Sequence, residues 1–227
     1  MSRPLNIAHR GFTKDFPGNT LEAFQAAFEL GADGIEFDVR ETLDRRFVIF
    51  HDAKILGNEI EKLSLAEIQK ITLKDRFKIP TLEETLDLSQ KRGKLIVELK
   101  RVKSMGLFLE ILRAGADLNE LTVASFHRDL LVQLAGLAPE FHRAIITGLL
   151  LLNPVRLAQK TKSAIVALRL ILTTSRLVEK IHRNNLGIAV WDCAGAKDVK
   201  RALRLGVDAI ISDTPDIVIQ ESSTYSE

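Results

Sequence analysis

The chain has 227 residues, 46% of them hydrophobic and 27% charged, and its 32 basic and 30 acidic side chains leave a formal net charge of +2. That length suits one ordinary domain, or an α/β barrel near its smallest practical size, with enough apolar material to fill a core. The near-balance of charge gives no global field to gather nucleic acid, and Cys193, the only cysteine, can form no intrachain disulfide, which fits a reducing compartment.

The start of the chain, "MSRPLNIAHRGF", has neither the apolar stretch nor the small-residue cleavage site of a signal peptide. No apolar run approaches the roughly 18–20 residues needed to cross a bilayer. The longest, "AIITGLLLL" (144–152), stops at Asn153-Pro154 and reads as a buried strand and its exit. A soluble, cytoplasmic protein without membrane insertion is the expectation.

Short Ile- and Val-rich runs mark strands at "LNIAH" (5–9), "DGIEFDV" (33–39), "FVIFH" (47–51), "LIVELK" (95–100), "LTVASF" (121–126), "RAIITG" (143–148), "AIVALR" (164–169), "GIAVWD" (187–192) and "VDAIIS" (207–212). Helical patterns lie between most of them. "NTLEAFQAAFELG" is expected to be capped at Asn19, with Glu22 three residues on, and to end at Gly31. Ser64/Glu67 and Thr81/Glu84 read as capping pairs, the second helix closing on Gly93; two later helices close at Gly187 and Gly206. The strand–helix alternation predicts a parallel sheet covered by helices, and about eight such units predict a closed (β/α)8 barrel of the TIM type. "LGADGIEFD" (30–38) echoes "LGVDAIISD" (205–213), as repeated units of a ring would. "FVIFH" follows the second strand so closely that it reads as a hairpin or a bent continuation, with a short insertion, mostly one small helix, between His51 and Pro80. With no low-complexity linker, residues 1–227 read as one domain.

In such barrels the chemistry sits at the carboxyl ends of strands. Early strands here end in His9-Arg10-Gly11, in Glu36 and Asp38, in His51-Asp52, and in Glu98 and Lys100. Alternation puts Ile35, Phe37 and Val39 outward and Glu36 and Asp38 inward; Leu95, Val97 and Leu99 go outward, Glu98 and Lys100 inward. Residues two apart on a strand lie about 6–7 Å apart, so the three acids can converge. Two readings stand side by side: a site for a hard, oxygen-preferring ion such as Mg²⁺ or Ca²⁺, or structural salt bridges to Arg10, Arg40 or Lys100. A single strand-end histidine is more often a hydrogen-bonded core residue. Two in equivalent places, His9 and His51, beside a carboxylate cluster favour an acid/base pair. His127, His142 and His182 read as surface or helix positions, and Asp52 and Asp213 as loop or cap hydrogen-bonders.

The segment "HRGFTKDFPGNTLEAFQAAFELGADGIEFDVRETLDRRFVIFHD" (9–52) resembles the opening signature of the glycerophosphodiester phosphodiesterase family. "IPTLEETLDL" (79–88), "IVELK" (96–100), "VASF" (123–126), "VW" (190–191) and "GVDAIISDTPD" (206–216) follow in that family's order. The resemblance implies a TIM-type barrel that hydrolyses glycerophosphodiesters, such as glycerophosphocholine or glycerophosphoethanolamine, to glycerol 3-phosphate and an alcohol. It implies one divalent cation, Mg²⁺ or Ca²⁺, on Glu36, Asp38 and Glu98, with His9 and His51 as acid and base. Arg10 and Lys100 would contact phosphate, and Trp191 would line the substrate wall. In the family precedent the glycerol 2-hydroxyl attacks phosphorus to give a cyclic phosphate that water opens. The chain departs from the family at "PGNT", where Gly18 replaces an acid, and at "WDCA" (191–194), which brings Asp192 near the mouth. Asn19 keeps its match, and a helix N-cap explains it. Two rival readings remain: cleavage of lysophospholipids at the same site in a phospholipase-D-like reaction, and a non-catalytic barrel that binds a phosphorylated ligand. A homodimer is compatible with the sequence.

Overall fold

The computed structural model describes residues 3–148 and 153–225. Eight parallel strands form a closed barrel: β1 (Leu5–His9), β2 (Gly34–Glu41), β3 (Lys94–Arg101), β4 (Leu121–Ser125), β5 (His142–Thr147), β6 (Ile165–Arg169), β7 (Gly187–Cys193) and β8 (Ala209–Ser212). Closure comes from β1, which pairs with β2 on one side and β8 on the other. Of the apolar run 144–152, Ala144–Thr147 lie in β5, and residues 149–152 fall outside the described residues.

Alternation along each strand separates two apolar layers. Ile35, Phe37, Val39, Leu95, Val97 and Leu99 point outward into the layer shared with the helices, where Phe24 of helix Leu21–Leu30 meets Phe37 at 5.7 Å between ring centroids. Inside the barrel a second layer consists of Ile7, Ala124, Ala144, Ile146, Ala167, Ala189, Ala209 and Ile211. The inward places on β2 and β3 near the top belong to the acids.

The echoed segments occupy equivalent joints. Gly31 (φ 93°) and Gly206 (φ 69°) end their helices in the left-handed region. Two residues later an aspartate accepts an amide from the neighbouring strand: Asp33 from Asn6 at 2.8 Å, Asp208 from Ile188 at 2.7 Å. Asp33 also takes both nitrogens of Arg3, at 2.5 and 2.7 Å. Burial acts to raise its pKa, but Arg3 and the Asn6 amide outweigh burial and hold it below the usual carboxylate range. A depressed carboxylate pKa stabilises the fold above the unfolded value and loses that effect as pH falls through the folded one. Asp33→Asn is therefore expected to lower the melting temperature at neutral pH, with the gap closing below about pH 4; melts across pH check this.

The sequence-level picture needs correcting at helix ends and in the insertion. The first helix is capped by Thr20, whose side chain accepts from the Ala23 amide, and not by Asn19. The capping boxes at Ser64/Glu67 and Thr81/Glu84 are both present. The helix begun at Thr81 stops at Ser89, short of Gly93, and the one begun at Thr174 stops at His182, so Gly187 opens β7 instead. After β2 the chain doubles back: Phe47–Ile49 pairs antiparallel with it, Val39 against Ile49 and Glu41 against Phe47. The following stretch is not mostly helix. It holds two short hairpins, Lys54–Ile55 with Asn58–Glu59 and Thr72–Leu73 with Phe77–Lys78, plus a 3-10 turn at Ile60–Lys62 and one turn of α-helix at Leu65–Ile68. Val48, Ile55, Ile60, Ile68 and Ile79 give this excursion its own small core. Among the described residues no helix is long and apolar enough to cross a membrane.

Candidate active site

Strand register builds the site. His9 at the end of β1 lies opposite Glu36 on β2, and Asp38, two residues further along, lies opposite Glu98 on β3. Glu36, Asp38 and Glu98 are all buried, and one oxygen from each lies within 4.8 Å of the others. The chain turns sharply after His9. Arg10 (φ 58°) and Gly11 (φ 86°) both occupy the left-handed region, and a Cβ on Gly11 would come within 2.6 Å of the Ala23 backbone, so only glycine fits. That turn sends the Arg10 side chain back to Asp38, Nε to Oδ2 at 3.2 Å, while its amide donates to the Glu36 carbonyl at 2.8 Å.

The two readings of the acids meet in this arrangement. Arg10 and Lys100 do form salt bridges: Lys100 Nζ lies 2.9 Å from Asp38 Oδ1 and 2.5 Å from Glu98 Oε1. Arg40 does not join them; its guanidinium donates twice to the His51 carbonyl, at 2.9 and 2.6 Å. Two cations thus face three carboxylates, and the deficit falls on Glu36, whose nearest basic group is His9 Nε2 at 3.9 Å. Burial, and next the charge of Asp38, pushes Glu36 up to about 8. Glu98 is raised by burial, which outweighs Lys100. For Asp38 burial acts upward, but Lys100, Arg10 and Asn19 outweigh it and lower the pKa. Burial likewise opposes the charged form of Lys100, yet Asp38 and Glu98 raise its pKa. Three buried carboxylates without a sulfur donor, one of them short of a cation, fit a hard divalent ion.

Each histidine is held from behind by an aspartate. His9 Nδ1 lies 2.7 Å from Asp213 Oδ1, and His51 Nδ1 lies 2.7 Å from Asp52 Oδ1. Burial works against a charged His9, but Asp213 and Glu36 prevail and raise its pKa. Asn19 grips Asp38 at two points, Nδ2 donating to Oδ2 at 2.7 Å and Oδ1 accepting the Asp38 amide at 3.3 Å. Opposite the acids stands an aromatic wall. Phe126, half exposed, meets Trp191 edge-on at 5.9 Å. Arg169 lies 5.6 Å over the Trp191 ring and is tied to Asp192 at 2.7 Å. The Trp191 Nε1 is buried with no hydrogen-bond partner among the described residues. Cys193, next in line, is buried below the rim, and burial raises its thiol to about 12.

His9, His51, Arg10, Lys100, Glu36, Glu98 and Trp191, the catalytic, metal and substrate candidates of the sequence, therefore border one cavity of about 430 Å³, and Asp38 belongs to the carboxylate cluster beside it. Sequence reasoning missed the anchoring roles of Asp52, Asp213, Asn19 and Arg40, and the Phe126–Arg169 side of the wall. Two capping residues in a row, Asn19-Thr20, were the available signal that one of them was free for another task.

A family model described as "Glycerophosphoryl diester phosphodiesterase family" matches residues 9–217. A glycerophosphodiester phosphodiesterase of Caldanaerobacter subterraneus is 30% identical, the alignment covering 96% of this chain and 97% of the relative. The chain belongs to this family. Another relative so named, from Bacillus altitudinis, is 27% identical over 94% of this chain and 96% of its own. The fold of family members in crystals is the same: a Parabacteroides distasonis glycerophosphodiester phosphodiesterase superposes with a TM-score of 0.89 at 24% identity, covering 99% of this chain and 100% of that one. An Oleispira antarctica phosphodiesterase, solved in complex with the product sn-glycerol-3-phosphate, gives 0.90 at 23% identity over 97% of both. The expectation of a phosphodiesterase of this kind, built on a TIM-type barrel, is met. Within the family pattern, Gly18 sits against Arg10, where an added Cβ would stand 3.0 Å from the Arg10 Cβ.

Proposed function

We propose that the chain hydrolyses glycerophosphodiesters to glycerol 3-phosphate and an alcohol, with Mg²⁺ or Ca²⁺ on Glu36, Asp38 and Glu98 and with His9 and His51 as the acid/base pair. The observation that carries this reading is the pair of aspartate-backed imidazoles beside a cup of three buried carboxylates. When bound, the ion supplies Lewis-acid polarisation and charge neutralisation of the phosphate.

The protein's own groups do the rest. An imidazole whose Nδ1 is tied to a carboxylate keeps Nε2 as its working nitrogen, so both histidines present the same atom to the cavity. One takes the proton of the attacking hydroxyl while the other gives a proton to the departing alcohol. Arg10 and Lys100 set fixed positive charge against the negative charge that grows on phosphorus. A cytoplasmic setting and a single barrel unit over residues 1–227 belong to the same reading, the first supported by a lone, buried cysteine.

Turnover of glycerophosphocholine and glycerophosphoethanolamine tests it. Glycerol 3-phosphate should appear with Mg²⁺ or Ca²⁺, disappear with chelator and return when the ion is restored. No product from either diester with either ion would overturn the reading. Asn19→Ala removes both grips on Asp38 and is expected to cost on the order of 10–100-fold in ion affinity or kcat/KM, as groups that orient a ligand do; calorimetric ion titration and steady-state kinetics measure it.

A further inference from the structure

Near its carboxyl end β7 carries one residue more than its neighbour. Val190 pairs with Ile210 and Cys193 with Ser212, so three steps on β7 face two on β8. The slack is a bulge, and Asp192 takes it up in the left-handed region at φ 64°. Ser212 pins the far side, its Oγ donating to the Cys193 carbonyl at 2.6 Å. Trp191 packs against the inner apolar layer, so strict alternation would turn the next side chain away from the lumen. The bulge instead leaves Asp192 on the wall of the catalytic cavity. Bulges and left-handed non-glycine residues gather beside sites because they re-aim a side chain.

Among the described residues four acids line that cavity: Glu36, Glu98, Asp192 and Asp208. The first two belong to the carboxylate cup. Asp208 lies at the opposite end of the barrel, engaged by the Ile188 amide and by His182. Asp192 is left without a task. Its Oδ2 accepts from Arg169 Nε at 2.7 Å, and no other hydrogen-bond donor among the described residues reaches the carboxylate. Arg169 does not itself border the cavity; it holds the acid from outside and lies over the Trp191 ring. The cavity thus meets a half-exposed carboxylate beside the rings of Trp191 and Phe126.

We propose that Asp192 selects diesters whose alcohol carries a primary ammonium group, its N–H bonds meeting the carboxylate while the phosphate lies beside Arg10 and Lys100. This rests on the phosphodiesterase reading given above and names its preferred leaving group. A trimethylammonium has the charge but no N–H to give, and Arg169 already takes the cation's place over Trp191, so choline ranks second. A neutral polyol ranks last.

The test is kcat/KM for glycerophosphoethanolamine, glycerophosphocholine and glycerophosphoglycerol, with Mg²⁺ at low ionic strength. The ethanolamine diester should lead the glycerol diester by about tenfold, the scale of a charged hydrogen bond in a half-exposed setting. Asp192→Asn should bring that ratio to within about twofold. Asparagine accepts left-handed backbone as readily as aspartate, so the bulge stays, and a ratio cancels any general loss of active protein. Arg169→Gln should raise the choline diester severalfold relative to the ethanolamine diester by uncovering the indole. In the parent chain about 0.5 M salt should narrow the ethanolamine preference, with no variant needed.

Turnover of all three diesters with a preference below about twofold would overturn the role of Asp192 and leave the phosphodiesterase reading standing. So would a preference that survives Asp192→Asn, or one for the glycerol diester that this substitution abolishes, which would make the carboxylate a reader of hydroxyls. Calorimetric titration of the same diesters into the full chain separates the two readings. Binding in the ethanolamine-first order without turnover would keep the role of Asp192 and sink the hydrolysis. Neither binding nor turnover would sink both.

Discussion

His51→Ala and His9→Ala are each expected to lower kcat for glycerophosphodiester hydrolysis by on the order of 10²–10⁴, with little change in melting temperature. Neither imidazole is a packing element. His51 is the more exposed, 42% at the side chain against 30% for His9, and each has a strong side-chain partner only in its own aspartate. Removing the ring therefore deletes a proton carrier and leaves the barrel intact. The double variant should fall far short of the product of the two single losses, because residues that act as a unit are not additive. Steady-state kinetics on glycerophosphocholine, with melts to show the variants folded, measure this. Near-wild-type turnover in both single variants would remove the histidines from the mechanism.

The second expectation separates function from stability within the acidic cup. Glu36→Gln should lower activity by at least about 10³-fold, several kcal/mol of transition-state stabilisation, and weaken ion binding in step. In chelator, however, it should melt no lower than the parent, and higher at neutral pH. A carboxyl raised by burial and by Asp38 to about 8 has an ionised form the fold disfavours, so native stability declines as pH rises from the unfolded value near 4 towards 8. The amide removes that cost. Asp38→Asn should behave oppositely in the melt, because Arg10 and Lys100 would lose a buried partner, a loss of about 3–5 kcal/mol for a fully buried pair and less for the partly exposed Arg10. If Glu36→Gln kept full activity and ion affinity, the carboxylates would be structural and the metal assignment wrong.

Most of the barrel was legible because period-two alternation encodes both layers at once. Ile35, Phe37 and Val39 specify the outer layer, and the same stretch places Glu36 and Asp38 inside. The candidate site was legible for the same reason, since strand ends and facing direction locate the acids and His9 without knowledge of the loops. What escaped were roles set by geometry between distant segments. Asp213 reaches His9 across 204 positions of sequence, and nothing near either residue announces the bond. The hairpin return at Phe47–Ile49 was legible, but the stretch between His51 and Pro80 was misjudged because two-residue strands carry no measurable period.

The tie between Arg40 and the carbonyl of His51 has a consequence for how the molecule wears out under heat. One member of the imidazole pair rides on a barrel strand, while the other stands where the excursion leaves β2, and beyond it the excursion packs on a small core of isoleucines and a valine. Segments with so little buried surface open in advance of the whole. Warming should thus idle the enzyme while the barrel remains assembled, and cooling should restart it without refolding.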